Sequence, residues 1–292
     1  MRKKAPKGLL PDFASNVERL VHSMSHSAQK PAEYLETSSD IAIAWLNDGA
    51  EPVPAGRCGT FWLGGFKSDM RGSKAEVLAD HAHTTDRSFV RFDYSGHGES
   101  GGEFVDGTIS SWLDQAQAVF SRCASGRRVL IGSSMGGWIA LLLAKRLIEA
   151  GQADRLGGLI LIAPAADMTK DLMWDKYGDE FRDEVMRLGR YERPSEYSDE
   201  PYVITRALIE DGAQHLVLDH GLQMPCPVRI LQGEDDPDVP WQHALKTYHA
   251  LNGDDVMLQL IKHGDHRLSS EDNLALLAET AETLCARADQ SV

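Results

Sequence analysis

The segment R-R-V-L-I-G-S-S-M-G-G-W-I-A-L-L-L carries a G-x-S-x-G pattern at Gly132, Ser134 and Gly136. An apolar run precedes it and another follows, the setting of a strand that turns sharply into a helix. In such a turn the central serine projects its hydroxyl above the sheet. A side chain at either glycine would collide with neighbouring backbone. Ser133 is off-centre and receives no role. A serine hydroxyl is a weak nucleophile at neutral pH, so it needs a base, and the base needs a carboxylate to fix its tautomer.

Later strands offer both partners. The run Val228–Gln232 leads into G-E-D-D-P-D-V-P, where Asp235, Asp236 and Asp238 compete as the orienting carboxylate. Asp236 is preferred, because it falls between the end of that strand and the helix expected after Pro240. Asp167, at the end of the preceding strand, is an outside alternative. The run Val256–Lys262 leads into H-G-D-H-R, which offers His263 and His266 as base. His266 lies further into the loop and is free to turn back over the sheet, whereas His263 reads as structural. As a metal pair H-x-x-H lacks a third ligand at helical spacing, so no metal is expected. Two backbone N–H groups should form an oxyanion hole. One belongs to Met135. The other is assigned to Phe66 in W-L-G-G-F-K-S-D-M, where Gly64 and Gly65 permit close approach and the Phe66 ring faces the acyl pocket. The segment R-F-D-Y-S-G-H-G-E-S, Arg91 to Ser100, reads as a turn beside the site shaped by Asp93, Gly96 and Gly98.

These residues need a scaffold. Strands are expected at Ile41–Trp45, Gly59–Leu63, Ser88–Phe92, Arg128–Ile131, Gly158–Ile162, Val228–Gln232 and Val256–Lys262. Helices are expected at Ser73–His83, Thr108–Cys123, Met135–Ala150, Trp241–Leu251 and Ser270–Ala286. Their alternation implies an α/β fold, a mostly parallel sheet with helices on both faces and the site beyond the carboxyl ends of the strands. The first strands are alternatively a hairpin at the sheet edge. Residues 1–31 read as an N-terminal extension with one short helix, 32–286 as a single catalytic domain and 287–292 as a tail. The polar segment from Asp167 to about Gln223 interrupts the alternation and reads as a small helical lid. Its Met168, Met173 and Trp174, with Phe66, are candidates for an acyl groove or, equally, for the lid's own small core.

Composition narrows the classes. The chain of 292 residues has 30 basic against 44 acidic residues and a net charge of −14, which weighs against nucleic acid and anionic lipid as partners. Strongly anionic substrates are expected to be disfavoured for the same reason. The longest strictly apolar run, Trp138–Ala144, is seven residues, far below the ~20 a membrane span needs. Four widely spaced cysteines, Cys58, Cys123, Cys226 and Cys285, suggest free thiols in a reducing compartment, here the cytoplasm.

In order and wording these motifs resemble the α/β-hydrolase superfamily. R-F-D-Y-S-G-x-G-x-S, G-S-S-M-G-G-W, P-S-E-Y-S, P-C-P-V-R-I-L-Q-G, D-V-P-W and K-H-G-D-H-R are similar to the branch of mammalian mitochondrial palmitoyl-protein thioesterases and acyl-glucuronide esterases. The resemblance runs from about Glu36 to Ala286, more loosely across the lid. It implies an α/β-hydrolase fold with nucleophile Ser134, acid Asp236 and base His266, and no cofactor. It further implies a serine hydrolase of acyl esters or thioesters, with an S-acylated protein as a candidate substrate. A general carboxylesterase or lipase is the alternative, a non-catalytic hydrolase-fold binding protein a remote one, and a peptidase could use the same residues. Gly64 departs from the branch, where His or Pro often precedes the oxyanion glycine, and the mammalian transit peptide has no clear counterpart.

Overall fold

Runs of Val, Ile, Leu and Phe that are apolar on both sides must be covered on both sides, and this places most of the strands in the middle of a sheet. The computed structural model describes residues 30–37, 40–50, 56–193 and 201–290. Its strands are β1 (Glu33–Glu36), β2 (Ala42–Gly49), β3 (Gly59–Leu63), β4 (Ser88–Phe92), β5 (Arg128–Ser133) and β6 (Leu156–Ile162). They continue as β7 (Arg190–Arg193), β8 (Tyr202–Thr205), β9 (Leu222–Gln223), β10 (Val228–Gly233), β11 (Leu251–Asn252) and β12 (Val256–Ile261). Eight of them form one sheet in the order β1-β2-β4-β3-β5-β6-β10-β12. From β4 to β12 every pairing is parallel, while β2 runs antiparallel to both neighbours.

Side chains alternate between two cores along each strand, as period-two geometry demands. Phe61 and Leu63 face one core, which α2 (Ile109–Cys123), α3 (Met135–Glu149) and α6 (Trp241–Ala250) cover. Trp62 faces the other, closed by α1 (Ser73–Thr85) and α7 (Glu271–Asp289). The edge hairpin is β1 with β2, not the first two expected strands. Gly59–Leu63 is wholly buried and sits between β4 and β5, whereas E-Y-L-E presents its glutamates to solvent and suits an edge. Residues 287–289 belong to α7 rather than to a tail, because Asp289 bonds the Cys58 N–H at 2.6 Å and the Arg87 guanidinium at 3.0 Å. The expected extension over residues 1–31 lies outside the described residues, apart from Lys30 and Pro31.

Between β6 and β10 the chain builds a π-helical turn at Thr169–Trp174, α4 (Gly178–Leu188) and α5 (Arg206–Gly212). It also holds an antiparallel hairpin of β7 and β8, which the helical expectation did not contain. The hairpin follows from Y-V-I-T and R-Y-E-R, whose β-branched and aromatic side chains fit a pleated surface. Tyr191 of β7 meets Phe181 of α4 edge-on at 5.1 Å. The Asp167 carboxylate, buried at the end of β6, accepts the N–H groups of Val217 and Leu218 at 2.9 and 3.0 Å, tying the two ends of the segment together.

Two buried ionisable groups at the end of β4 hold the irregular chain that follows β3. Arg91 is 0% exposed and donates to Asp48 at 2.8 Å, Glu76 at 2.5 Å and the Met70 carbonyl at 2.9 Å. Asp93 accepts from the N–H groups of Met70 at 2.6 Å and Glu99 at 2.8 Å. Removing Arg91 leaves the buried Asp48 carboxylate facing only the His83 imidazole, 3.9 Å away, among the ionisable groups of the described residues. Arg91→Ala is therefore expected to lower unfolding free energy by about 3–5 kcal/mol in chemical denaturation, and a loss under about 1 kcal/mol would contradict this account. Burial pushes the Asp93 carboxyl up to about 6, against the lowering effect of the Glu99 and Met70 N–H groups. Its stability contribution is complete below the carboxyl's unfolded value and is lost as pH rises through about 6. Relative to Asp93→Asn, the wild type should gain about 1–2 kcal/mol between pH 7.5 and pH 5. Titrations common to both proteins cancel in that difference, and a flat difference would refute the assignment.

Candidate active site

The last residues of β5 and the first of α3 form a turn in which backbone approaches backbone. A Cβ on Gly132 would lie 2.2 Å from the Gly136 carbonyl oxygen, and one on Gly136 would lie 2.0 Å from that of Leu63. Only glycine fits either position. Between them Ser134 has φ 55° and ψ −119°, a strained conformation for a residue with a side chain. The surroundings hold it there: Ser134 N–H donates to the Ile162 carbonyl at 2.8 Å, and its own carbonyl accepts from Gly137 and Ala165 at 2.9 and 3.0 Å.

The loops after β10 and β12 bring the expected partners to this serine. His266 Nε2 lies 3.1 Å from Ser134 Oγ, and His266 Nδ1 lies 2.8 Å from Asp236 Oδ2. The Asp236 carboxylate is buried and filled with donors. Its Oδ1 accepts the N–H groups of Asp238 and Val239, each at 2.9 Å, and Oδ2 accepts Gln232 Nε2 at 3.1 Å as well as His266. The two loops are joined by the Asp235 N–H, which donates to the Gly264 carbonyl at 2.9 Å. Lys74 of α1 braces the base loop by donating to the Arg267 carbonyl at 2.6 Å, and burial pushes its ammonium down to about 8.

The remaining candidates separate from this constellation. Asp235 pairs with His263 at 3.1 Å on the surface, and Asp167 holds the inserted segment. Asp238 contributes its N–H to Asp236, and its side chain borders the cavity. Among the described residues, two groups bring His and carboxylate atoms within 4.8 Å of one another: Glu234, Asp235 and His263, and Asp236, Asp238 and His266. His263 and His266 thus do not converge on one point, and the Asp236 oxygens already accept hydrogen bonds.

On the other side of Ser134 stands the loop after β3. A Cβ on Gly65 would lie 3.5 Å from the Ser134 Cβ, so this loop passes directly beside the serine. The Gly65 carbonyl accepts from the Ser68 hydroxyl at 2.9 Å and from the Ser68 N–H at 3.2 Å. In a trans peptide C=O and N–H point in opposite directions, so holding this carbonyl fixes the direction of the Phe66 N–H. Gly64 belongs to the same device. A Cβ there would lie 3.1 Å from Ser68 Oγ, which gives its small size a physical reason.

A cavity of about 690 Å³ opens above these groups. Phe66, Met168, Leu172, Met173, Ile204 and Val239 form its apolar wall. Trp174, a candidate for the same wall, is half-buried and packs edge-on to Phe181 at 6.2 Å within the inserted segment instead. The Phe66 ring borders the cavity while leaning on Phe104 at 4.7 Å and Tyr202 at 5.8 Å. Among the described residues, Lys67, Lys74, Arg193 and Arg267 line the cavity with Asp69 and Asp238 as carboxylates. Sequence reasoning also missed Gln232, Ser68 and His97. Gln232 had left a trace, an amide closing a strand that is apolar apart from Arg229; the other two lie in loops without periodic pattern.

The model of the alpha/beta hydrolase family matches residues 45–280. The mouse mitochondrial palmitoyl-protein thioesterase ABHD10 is 32% identical over 227 residues, covering 77% of this chain and 74% of the relative. Its human counterpart is 31% identical with 77% and 72% covered. Among solved structures, a protein of Agrobacterium vitis S4 described as a candidate hydrolase superposes with a TM-score of 0.81 at 44% identity, covering 88% of this chain and 100% of that one. Mouse alpha/beta hydrolase domain-containing protein 10 superposes with a TM-score of 0.78 at 30% identity, covering 88% and 99%. No helix among the described residues is long and apolar enough to cross a membrane. With the sheet order, the strand–turn–helix at Ser134 and a family match over most of its length, the chain belongs to the alpha/beta hydrolase family.

Proposed function

We propose that the protein is a serine hydrolase that cleaves carboxylic esters and thioesters through an acyl-enzyme, and that its substrates are S-acylated proteins or related acyl thioesters. The observation that carries the mechanism is the unbroken line from Ser134 Oγ through His266 to the Asp236 carboxylate, at 3.1 and 2.8 Å. Ser134 Oγ attacks the acyl carbonyl as its proton passes to His266 Nε2. Asp236 holds the imidazole by Nδ1–H and stabilises the charge it gains. The N–H groups of Met135 and Phe66 receive the oxyanion. The tetrahedral intermediate collapses, the C–O or C–S bond breaks, and the leaving group takes the proton from His266. Water, deprotonated by the same imidazole, then releases the acyl group and restores the serine.

The acyl chain lies along the apolar wall of Met168, Leu172, Met173 and Ile204, so the segment 167–223 serves as lid of a single catalytic domain. Similarity to palmitoyl-protein thioesterases supports the thioester preference. The four free thiols support a reducing compartment, the cytoplasm in this reading, although the mammalian relatives are named as mitochondrial.

Matched thioesters and oxygen esters of increasing acyl length test the substrate class by kcat/KM. Long-chain thioesters should be preferred, and preference for short oxygen esters would make the protein a general carboxylesterase instead. Ser134→Ala and His266→Ala should lower kcat by about 10⁴-fold or more, and Asp236→Asn by about 10⁴-fold, at little change in KM.

A further inference from the structure

The chain between β3 and α1 has little regular structure, yet it is tied at several points to the residues that follow β4. Beyond the Met70 contacts with Arg91 and Asp93, the Lys67 N–H donates to His97 Nε2 at 3.1 Å. His97 is 4% exposed, and its Nδ1 lies 3.0 Å from the Ser95 carbonyl. A carbonyl can only accept and an amide N–H can only donate, so these partners define one state of the ring. Nδ1 carries the proton and Nε2 is bare. Burial, the largest effect, pushes the imidazole below its ordinary value despite the Ser95 carbonyl, which keeps it in this neutral form.

Ser95 is itself fixed. Its N–H donates to Gln115 Oε1 at 2.9 Å, and its hydroxyl accepts from Gln115 Nε2 at 2.9 Å. A buried line of hydrogen bonds therefore runs from α2 through Ser95 and His97 to the loop beside Ser134. That loop needs the restraint, because Lys67 has φ 57°, a left-handed conformation that is strained for a residue with a side chain. Released from His97, Lys67 would relax and carry the Phe66–Lys67 peptide with it, and through the Phe66 backbone the shift would reach the Gly65–Phe66 peptide that bears the Phe66 N–H. Phe66 supplies the second oxyanion donor in the reading above, on which this inference rests.

We infer that His97 is a positioning residue of the oxyanion hole: its bare Nε2 captures the Lys67 N–H and locks Phe66 in the orientation that receives the oxyanion. The aromatic surroundings agree with a rigid mount. His97 meets Phe104 at 5.2 Å and Trp112 at 5.3 Å, and the Phe66 ring packs on those same two residues at 4.7 and 6.0 Å.

The test compares His97→Ala, His97→Gln and His97→Asn in the full chain, with kcat and KM on a p-nitrophenyl ester and thermal melts as a control of folding. A glutamine amide oxygen reaches the place of Nε2 and can accept the Lys67 N–H, whereas an asparagine oxygen reaches only the place of Nδ1. His97→Ala should lower kcat about 10–100-fold with KM within about threefold, somewhat less than the loss of an oxyanion donor itself. His97→Gln should return to within about fivefold of wild type, and His97→Asn should not. Equal activity of the Gln and Asn variants, or a folded Ala variant within twofold of wild type, overturns the inference. If the Ala variant does not fold, the Gln and Asn pair decides alone. Ser134→Ala measured in parallel separates the two levels: full activity there defeats the serine mechanism, while an inactive Ser134→Ala beside equal Gln and Asn variants defeats only the role of His97.

Discussion

Three stretches of backbone meet at one point, where the ends of β3 and β5 and the start of α3 touch without side chains between them. A Cβ on Gly136 would lie 2.0 Å from the Leu63 carbonyl oxygen and 2.5 Å from that of Gly64, so no larger residue is tolerated. This contact forces β3 and β5 to be neighbours and drives the chain through the strained Ser134 conformation. It also sets the loop after β3 against the serine hydroxyl. The strain, of order 1–3 kcal/mol, is borne by a sheet whose central strands are buried on both faces.

Once that point is fixed, the other parts of the site hang from it by hydrogen bonds of backbone and buried side chains. The acid loop closes on itself around Asp236, whose oxygens collect two backbone N–H groups and the Gln232 amide before His266 is added. The base loop is joined to it through Asp235 and Gly264 and braced by Lys74. The loop after β3 is held by Ser68 from within and by Arg91, Asp93 and His97 from the far side. Each side chain thus reaches its place by a chain of contacts that leads back to the sheet.

Much of this was legible before any coordinates. The central strands could be read because continuous apolar runs have few alternatives, and the serine turn because its glycines have a steric cause at fixed spacing. Asp236 and His266 could be selected from their neighbours by position relative to the ends of β10 and β12. What stayed hidden depends on contacts distant in sequence. E-Y-L-E is too short and too polar to announce an edge strand, and the β7–β8 hairpin lies within a segment whose charge suggests helix. Trp174 suited an acyl wall and the lid interior equally, and its partner Phe181 decides for the lid. His97 looked like one more turn residue, and only the fold reveals that its ring nitrogen meets the amide of Lys67.

Everything in the proposed mechanism turns on Ser134 being the nucleophile that His266 activates. Treating the folded protein with a fluorophosphonate and mapping the adduct by peptide mass spectrometry decides this. A single stoichiometric adduct is expected on the peptide containing Ser134, absent from Ser134→Ala and formed far more slowly in His266→Ala. An unmodified protein, or equal modification of Ser134→Ala, would contradict it.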